Sequence, residues 1–409
     1  MRIPTFRQFQ HQADMISKQF DQMNRLFMQA SSGRKIQSSS EDPVLANQIK
    51  SNETFIDHMS NYYNNSVLAQ NRSKLFQTSI ENSVNIVGDI QTLIKKVQSD
   101  ILSDGDRASI AEQLEGDLKM LLTYANITDG DGNYIFSGFN TNTVPFVQVN
   151  GRYQYQGGLN QAMIDIGPNI STLYYESGFK VFGDIFLGNG TFTINASATN
   201  TGTASTSPGS VVDQVNYVAD TYTLTLVTNS AGQLAYQVIG AASGQVIPPP
   251  PATIPDDAPA YIPDSDITFN GLSFNIGAGA NVGDVFTIQP STQQNVFETV
   301  QNLITTLKNP VGNKGNYNQA LSQLSASIGQ VSTHLTTYLS QAGTRGAAVD
   351  SQIKNDDTII NNYKIALSGL ADAHMDQVYS ALAQKSVALQ ATQASYIKLQ
   401  ETLMQILRL

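Results

Sequence analysis

The sequence predicts an α+β protein whose two ends are helical and whose middle is an inserted all-β domain. Three observations carry this. Ile3, Phe6, Gln10, Ala13, Ile16, Phe20, Met23, Phe27 and Ala30 follow an alternating three–four spacing. Met375, Val378, Leu382, Lys385, Leu389, Thr392, Tyr396, Leu399, Leu403 and Ile406 do the same at the other end. Between them lies a stretch rich in Gly, Thr, Val and Tyr whose apolar residues alternate with period two. A three–four spacing draws an apolar seam along one helix face, which has to be buried against other helices. A chain that leaves helix, builds β structure and returns to helix brings its ends side by side. That arrangement suits the subunit of an assembly better than an enzyme.

The first helix is read over about residues 5–31 and ends at Gly33, because glycine tolerates the left-handed backbone of a helix C-terminus. The polar segment Ser31–Val44 reads as a joint, with Gly33, Asp42 and Pro43 as its hinge residues. Asp42 caps a second helix and Pro43 fits its first turn. That helix continues to about residue 101 through Ile49, Ile56, Tyr63, Ile80, Val87 and Ile94. Asp104-Gly105 reads as a turn, and a third helix of roughly 106–126 presents Ile110, Leu114, Leu118 and Leu121.

After Gly130 the period changes to that of strands, at Tyr153 and Tyr155, around Phe192, and at Tyr222, Leu224 and Leu226. Residues 198–210 read as a flexible loop. Residues 248–263 hold seven of the fourteen prolines and read as a stiff, extended loop. Strands are expected again at Ile267–Ile276 and Val285–Ile288. Helix returns at Phe297, Val300, Ile304 and Leu307. It resumes after Pro310 with the heptad run Leu321, Leu324, Ile328, Val331, Leu335, Tyr338 and Ala342, and passes Gly343 and Gly346 to enter the terminal helix.

Composition narrows the function. A chain of 409 residues can bury more than one core, so two or three domains are expected. The net charge of −10 argues against nucleic acid, which rewards a basic surface. Residues 151–294 hold ten acids against two bases, Arg152 and Lys180, which marks the middle as solvent-facing. The absence of cysteine removes disulfides, thiolate metal sites and cysteine nucleophiles. No run of about 18 apolar residues offers a membrane helix, and the N-terminus lacks the layout of a cleaved secretory signal. The end helices carry too few bases on their polar faces for an anionic membrane surface.

The sequence presents no site of chemistry. His11, His58, His334 and His374 are single and far apart. Asp129-Gly130-Asp131-Gly132-Asn133 resembles the start of a calcium loop, but Tyr134 stands where glycine is required and Asn140 where a bidentate Glu is required. A glycine-rich turn is the better reading. Asp256-Asp257 and Asp264 with Asp266 read as a solvated face. No nucleophile elbow, phosphate loop or dinucleotide fingerprint appears. No catalytic residue, metal or cofactor is assigned.

The motifs resemble one family, the flagellin superfamily, and within it the branch at the hook–filament junction. Met1-Arg2-Ile3, the segment Ser31-Ser32-Gly33-Arg34-Lys35-Ile36 followed by Asp42-Pro43, and Ala394-Ser395-Tyr396 near a Leu-rich end are similar to members generally. Ser103-Asp104 with Arg107, Ala125-Asn126, Tyr134-Ile135-Phe136-Ser137-Gly138, Pro145-Phe146 and Gly283-Asp284-Val285-Phe286 resemble the junction branch more than flagellin. Pro4, where a hydroxyl residue is usual, and His374, where Asp is frequent, depart from the pattern.

The resemblance implies a terminal coiled-coil assembly domain of residues 1–42 and 366–409. It implies a helical rod domain of 43–142 and 295–365, and an outer β domain of 143–294 that includes the proline-rich loop. The expected assembly seam is Ile16, Phe20, Met23, Phe27, Leu382, Leu389, Tyr396, Leu399, Leu403 and Ile406. The implied role is a structural subunit that self-associates in the axial assembly, beside the first hook-associated protein and flagellin. An export chaperone, and export through the flagellar type III apparatus to the outside of the cell, belong to the same expectation. A flagellin filament subunit is the nearest alternative. A carbohydrate-binding adhesin, with exposed tyrosines as stacking surfaces, is the alternative of a different class.

Overall fold

A computed structural model describes residues 2–99, 102–309 and 311–407, without the side chains of 2–6, 8, 99, 403 and 405–407. The helices are α1 (Arg2–Ser32), α2 (Pro43–Ser99), α3 (Asp104–Ala125), α4 (Val296–Lys308), α5 (Lys314–Ala371) and α6 (Met375–Leu407). Two compact units result, one of Met1–Asn65 with Ser351–Leu409 and one of Ser66–Asp350, so the boundary falls inside α2 and α5. The expected coil of 1–42 and 366–409 is therefore part of a larger unit that takes in the start of α2 and the end of α5.

Helix boundaries follow local chemistry. Gly33 has φ +71° and its N–H donates to Gln29 O at 2.9 Å, which closes α1. Asp42 Oδ1 accepts the Leu45 N–H at 3.0 Å, and Pro43 takes the first position of α2. α3 begins at Asp104, two residues earlier than read. Ser103 and Asp106 form a capping box there, so Asp104-Gly105 is the first turn of helix and not a loop.

The unit of residues 66–350 holds two apolar cores. The helical core joins Ile80, Ile90, Leu114 and Leu121 to Val300, Leu303, Ile328 and Leu335. It also takes in Phe136, Phe146, Val181, Phe182 and Ile185. The Phe146 and Phe297 rings lie 4.8 Å apart, and Phe136 meets Phe182 edge-on at 5.1 Å. Hairpins β1 (Phe146–Val149) with β2 (Arg152–Tyr155) and β3 (Ala162–Gly167) with β4 (Ile170–Tyr175) precede a single π turn at Phe179–Gly183. β5 (Ile185–Phe186) pairs with β14 (Gln293–Gln294) at the entry to α4. Phe146, Tyr153, Tyr155 and Phe182, expected with the outer β domain, thus share the helical core instead.

The second core runs from Phe192 to Ile288. Its strands are β6 (Phe192–Ala196), β7 (Ser210–Val211), β8 (Tyr222–Thr228), β9 (Leu234–Gly240), β10 (Gly244–Ile247), β11 (Asp266–Phe269), β12 (Leu272–Asn275) and β13 (Val285–Pro290). They form an antiparallel sheet in the order β10-β9-β8-β13-β6 and a smaller one in the order β11-β12-β7. Tyr222, Leu224 and Leu226 point inward, and Phe286 sits opposite Leu224.

Three expectations for this region are corrected. Ile267–Ile276 is two strands joined by a turn at Asn270-Gly271 (φ +44° and +76°). Residues 198–210 are not a free loop: Asn200, Ala204 and Thr206 are buried, and Thr206 bridges to Ile276. Residues 248–263 are not extended. They turn through the bonds Ala252 N to Pro249 O and Ala258 N to Pro255 O, and Ala260 bridges to Ala235 beside β9. Small residues let a loop approach a backbone closely, and composition alone does not register that.

Candidate assembly surface

In the unit of both termini, α1 and α6 run antiparallel. The Phe9 and Tyr396 rings are 4.6 Å apart, and Lys385 Nζ donates to Gln22 Oε1 at 2.8 Å. On α6 the covered line is Met375, Val378, Leu382, Lys385, Leu389, Thr392, Tyr396 and Leu399, with Val378 and Leu389 buried and the rest half-buried. This line carries the expected Leu382, Leu389, Tyr396 and Leu399. The side chains of Leu403 and Ile406 lie outside the described residues.

On α1 the covered line is Phe9, Gln12, Ile16, Gln19, Met23, Leu26 and Ala30. Ile16 and Met23 are in it, whereas Phe20 and Phe27 are about half exposed, at 49% and 51%. The physical reason is that two three–four lines overlap on α1 and share Ile16, Met23 and Ala30, one residue step apart. α6 covers the line that contains Gln12 and Gln19. Both glutamine Oε1 atoms are enclosed without a hydrogen-bond partner. The more apolar line is left open. Tyr379, Ile397 and Met404 are likewise more than half exposed on α6.

The joint has a partner as well as an end. Lys35 N donates to Ala371 O at 2.7 Å, and Ala373 N donates to Gly33 O at 2.8 Å, so the breaks α1–α2 and α5–α6 pair as a short antiparallel bridge. Gln37 N donates to a Glu41 carboxylate oxygen at 3.0 Å, which folds the segment on itself. A groove of about 550 Å³ opens here over Ile36, Ala46, Ile49 and Leu367, with Lys50 and Lys364 at its rim. Nearby, the Phe55 and Tyr363 rings stack at 4.1 Å.

No group of three or more His, Cys, Asp or Glu that could hold a metal occurs among the described residues, and no described helix is long and apolar enough to cross a membrane. The Asp129 carboxylate is consumed by its own turn: Oδ1 accepts from Asp131 N and Asn133 N, each at 2.9 Å. Its Oδ2 pairs with Arg72 at 2.6 Å, and that guanidinium lies 4.0 Å from the ring centres of Tyr174 and Tyr175. Hydrogen bonds from Thr253 hold the Asp257 carboxyl below its usual range. His334 Nε2 meets Lys180 O at 2.8 Å, which requires the ring proton on Nε2. Buried Glu176 faces Arg345 at 3.7 Å and accepts from Gln161, and burial lowers the Arg345 pKa. Asp129, His334 and Glu176 each fasten a turn or a strand to a helix, and Asp257 closes a turn of its own loop.

Sequence reasoning missed a polar stripe on α5 and the residue before it. Asn313 Nδ2 donates to Asn200 O and Gly202 O, and Asn316 Nδ2 donates to Ser197 O. Gln319 Nε2 donates to Ile194 O while its Oε1 accepts the Thr206 N–H, both at 2.6 Å. Ser327 Oγ accepts the Gly188 N–H at 2.8 Å, and Gln330 Nε2 donates to Asn189 O at 3.0 Å. The signal was available, since these polar residues recur at three-residue steps beside the apolar heptads, 313-316-319 and then 327-330. It was hidden because polar residues on a helix read as solvated.

Residues 8–141 match the family model described as the bacterial flagellin N-terminal helical region. A crystal structure of flagellar hook-associated protein 3 from Legionella pneumophila is 31% identical, with a TM-score of 0.75, over 79% of this chain and 98% of that one. A crystal structure of the flagellar junction protein from the same organism is 33% identical, with a TM-score of 0.69, over 74% and 99%. The flagellar hook-associated protein 3 of Escherichia coli (strain K12) is 29% identical over 205 residues, which is 50% of this chain and 62% of that protein. The match thus spans less than two thirds of that curated relative.

Proposed function

From its membership of the flagellar hook-associated protein 3 family, to which this chain belongs, we propose that it is a structural subunit of the bacterial flagellum that joins the hook to the flagellin filament. The supporting observation is identity above 30% across nearly the whole length of two solved relatives, one of which is described as a junction protein. In this reading the subunit self-associates in the axial assembly through its terminal helices, with the first hook-associated protein on one side and flagellin on the other. It leaves the cell through the flagellar export apparatus, and a chaperone holds α6 beforehand. The seam of Ile16, Met23, Leu382, Leu389, Tyr396 and Leu399 holds α1 and α6 together, and Phe20 and Phe27 are contacts to neighbouring subunits. Gly33, Asp42 and Pro43 act as the joint between coil and rod. The outer β domain centres on residues 192–288, the extent of the second core.

Deletion of the gene tests this. The expected phenotype is intact hooks with flagellin shed as monomers into the medium, restored by the complementing gene. Cells that lose flagellin itself but keep the junction would instead identify a filament subunit. Cells that build normal filaments without the protein would overturn both readings.

A further inference from the structure

The chain has three Asn-Gly steps, at Asn150-Gly151, Asn189-Gly190 and Asn270-Gly271. Two are sealed. Asn189 Oδ1 accepts from Thr191 N and Phe192 N, and its Nδ2 donates to Pro208 O and Gly209 O. Asn270 Nδ2 donates to Tyr222 Oη at 3.0 Å, the carbonyls of Asn270 and Gly271 accept from Val218 and Val212, and a Cβ on Gly271 would stand 2.3 Å from Asp213 O. The third is open. Asn150 (φ +52°) and Gly151 (φ +79°) form the exposed two-residue turn between β1 and β2, and nothing lies within 4 Å of a Cβ built on Gly151. The turn types at Asn150 and Asn270 are alike, so the difference lies in their surroundings.

We propose that Asn150 is a site of spontaneous deamidation and isomerisation, converting ahead of the other two steps. The turn opens, and the Gly151 backbone nitrogen attacks the Asn150 side-chain carbonyl carbon. The amide nitrogen leaves as ammonia with the proton that the Gly151 nitrogen gives up. One water molecule then opens the cyclic imide at either carbonyl, giving aspartate or isoaspartate. No electron transfer is involved. The aspartate form places a carboxylate beside exposed Arg152. The isoaspartate form adds a carbon to the main chain, which no longer fits a two-residue turn closed by the pair Val149 and Arg152. The next residue, Tyr153, ties the hairpin to the start of α4: its N–H donates to Glu298 Oε1 at 2.6 Å and its carbonyl accepts from Asn295 Nδ2 at 2.9 Å. Isomerisation therefore loosens the hairpin from α4.

The test uses the full chain, incubated in mildly alkaline buffer and mapped by mass spectrometry that separates aspartyl from isoaspartyl peptides. A parallel sample is held in urea. Conversion at Asn150 in the folded chain is expected at least about tenfold faster than at Asn189 or Asn270, since opening a sealed turn costs more than fraying an exposed one. In urea the three converge. Amide exchange at Tyr153 is expected to accelerate in the aged chain. Equal rates at the three steps in the folded chain, or an Asn150 that stays intact while the urea sample converts, overturns the proposal. Unchanged Tyr153 exchange in an isoaspartyl chain overturns the loosening of the hairpin.

Discussion

The backbone N–H of Ala373 donates to the carbonyl of Gly33 at 2.8 Å, which ties the end of the first helix to the start of the last. The Lys35 to Ala371 bond repeats the tie in the opposite sense at 2.7 Å. The polar joint read from the N-terminal side is half of a pair, and its other half is the break before α6. A change of angle at one break therefore moves the other.

Gly33→Val should disturb this joint, because φ +71° penalises a β-branched residue by roughly 1–2 kcal/mol. Faster amide exchange at Lys35 and Ala373 is expected, together with weaker incorporation into filaments. Ser39→Ala is expected to be mild. If both variants assemble equally, the segment is only a tether.

Leu389 and Phe20 should separate two roles. Leu389 is 6% exposed in the seam and Phe20 is 49% exposed beside it. Leu389→Asp should lower the helix content and melting temperature of the free chain, the lost burial being worth about 1.5–3 kcal/mol. Phe20→Asp should leave the free chain unchanged by circular dichroism yet block incorporation. A Phe20→Asp chain that assembles normally would remove that face from the subunit contact.

The enclosed carbonyls of Gln12 and Gln19 make the α1–α6 pair weaker than its periodicity suggests. Gln12→Leu with Gln19→Leu should raise the thermal stability of the helical ends by about 1 kcal/mol per site. Scanning calorimetry of the free chain measures it. A loss of stability would mean that water or another donor already serves both groups.

Gln319→Leu should unlatch residues 194–206 from α5. It leaves the Thr206 N–H and the Ile194 carbonyl buried and unbonded, a cost of about 2 kcal/mol. Amide exchange at Thr206 should rise well before that at Leu224 in the sheet. Unchanged protection at Thr206 would show that the loop holds by itself.

Asp117 supplies a pH dependence. It is buried in α3, its Oδ2 has no hydrogen-bond partner, and burial followed by the nearby Asp89 charge raises its pKa above 3.8. A carboxyl raised in the folded state binds its proton more tightly there than in the unfolded chain. Its stabilising contribution is therefore full below the unfolded value and is lost as pH rises through the folded one. Asp117→Asn should raise the midpoint of urea unfolding at neutral pH and remove this part of the dependence in the acid range. An equal pH profile in both proteins would exclude Asp117 as its source.

The sequence by itself determined the class of fold, the six helices of the described residues and where most of them end. Periodicity, the Gly33 stop, and the Asp42-Pro43 start depend on chemistry within a few residues, so they are legible along the chain. The alternation of Tyr222, Leu224 and Leu226 told the inner face of β8 for the same reason. Tertiary structure decided what depends on a partner distant in sequence. It chose the α1 line through Gln12 and Gln19 over the one through Phe20 and Phe27, because α6 can cover only one of two overlapping lines. It joined Phe146, Phe182 and Phe297 into the helical core, and it pinned the loop at Thr206 with Gln319. No local pattern states which buried amide meets which backbone group, because that pairing exists only once the chain has closed on itself.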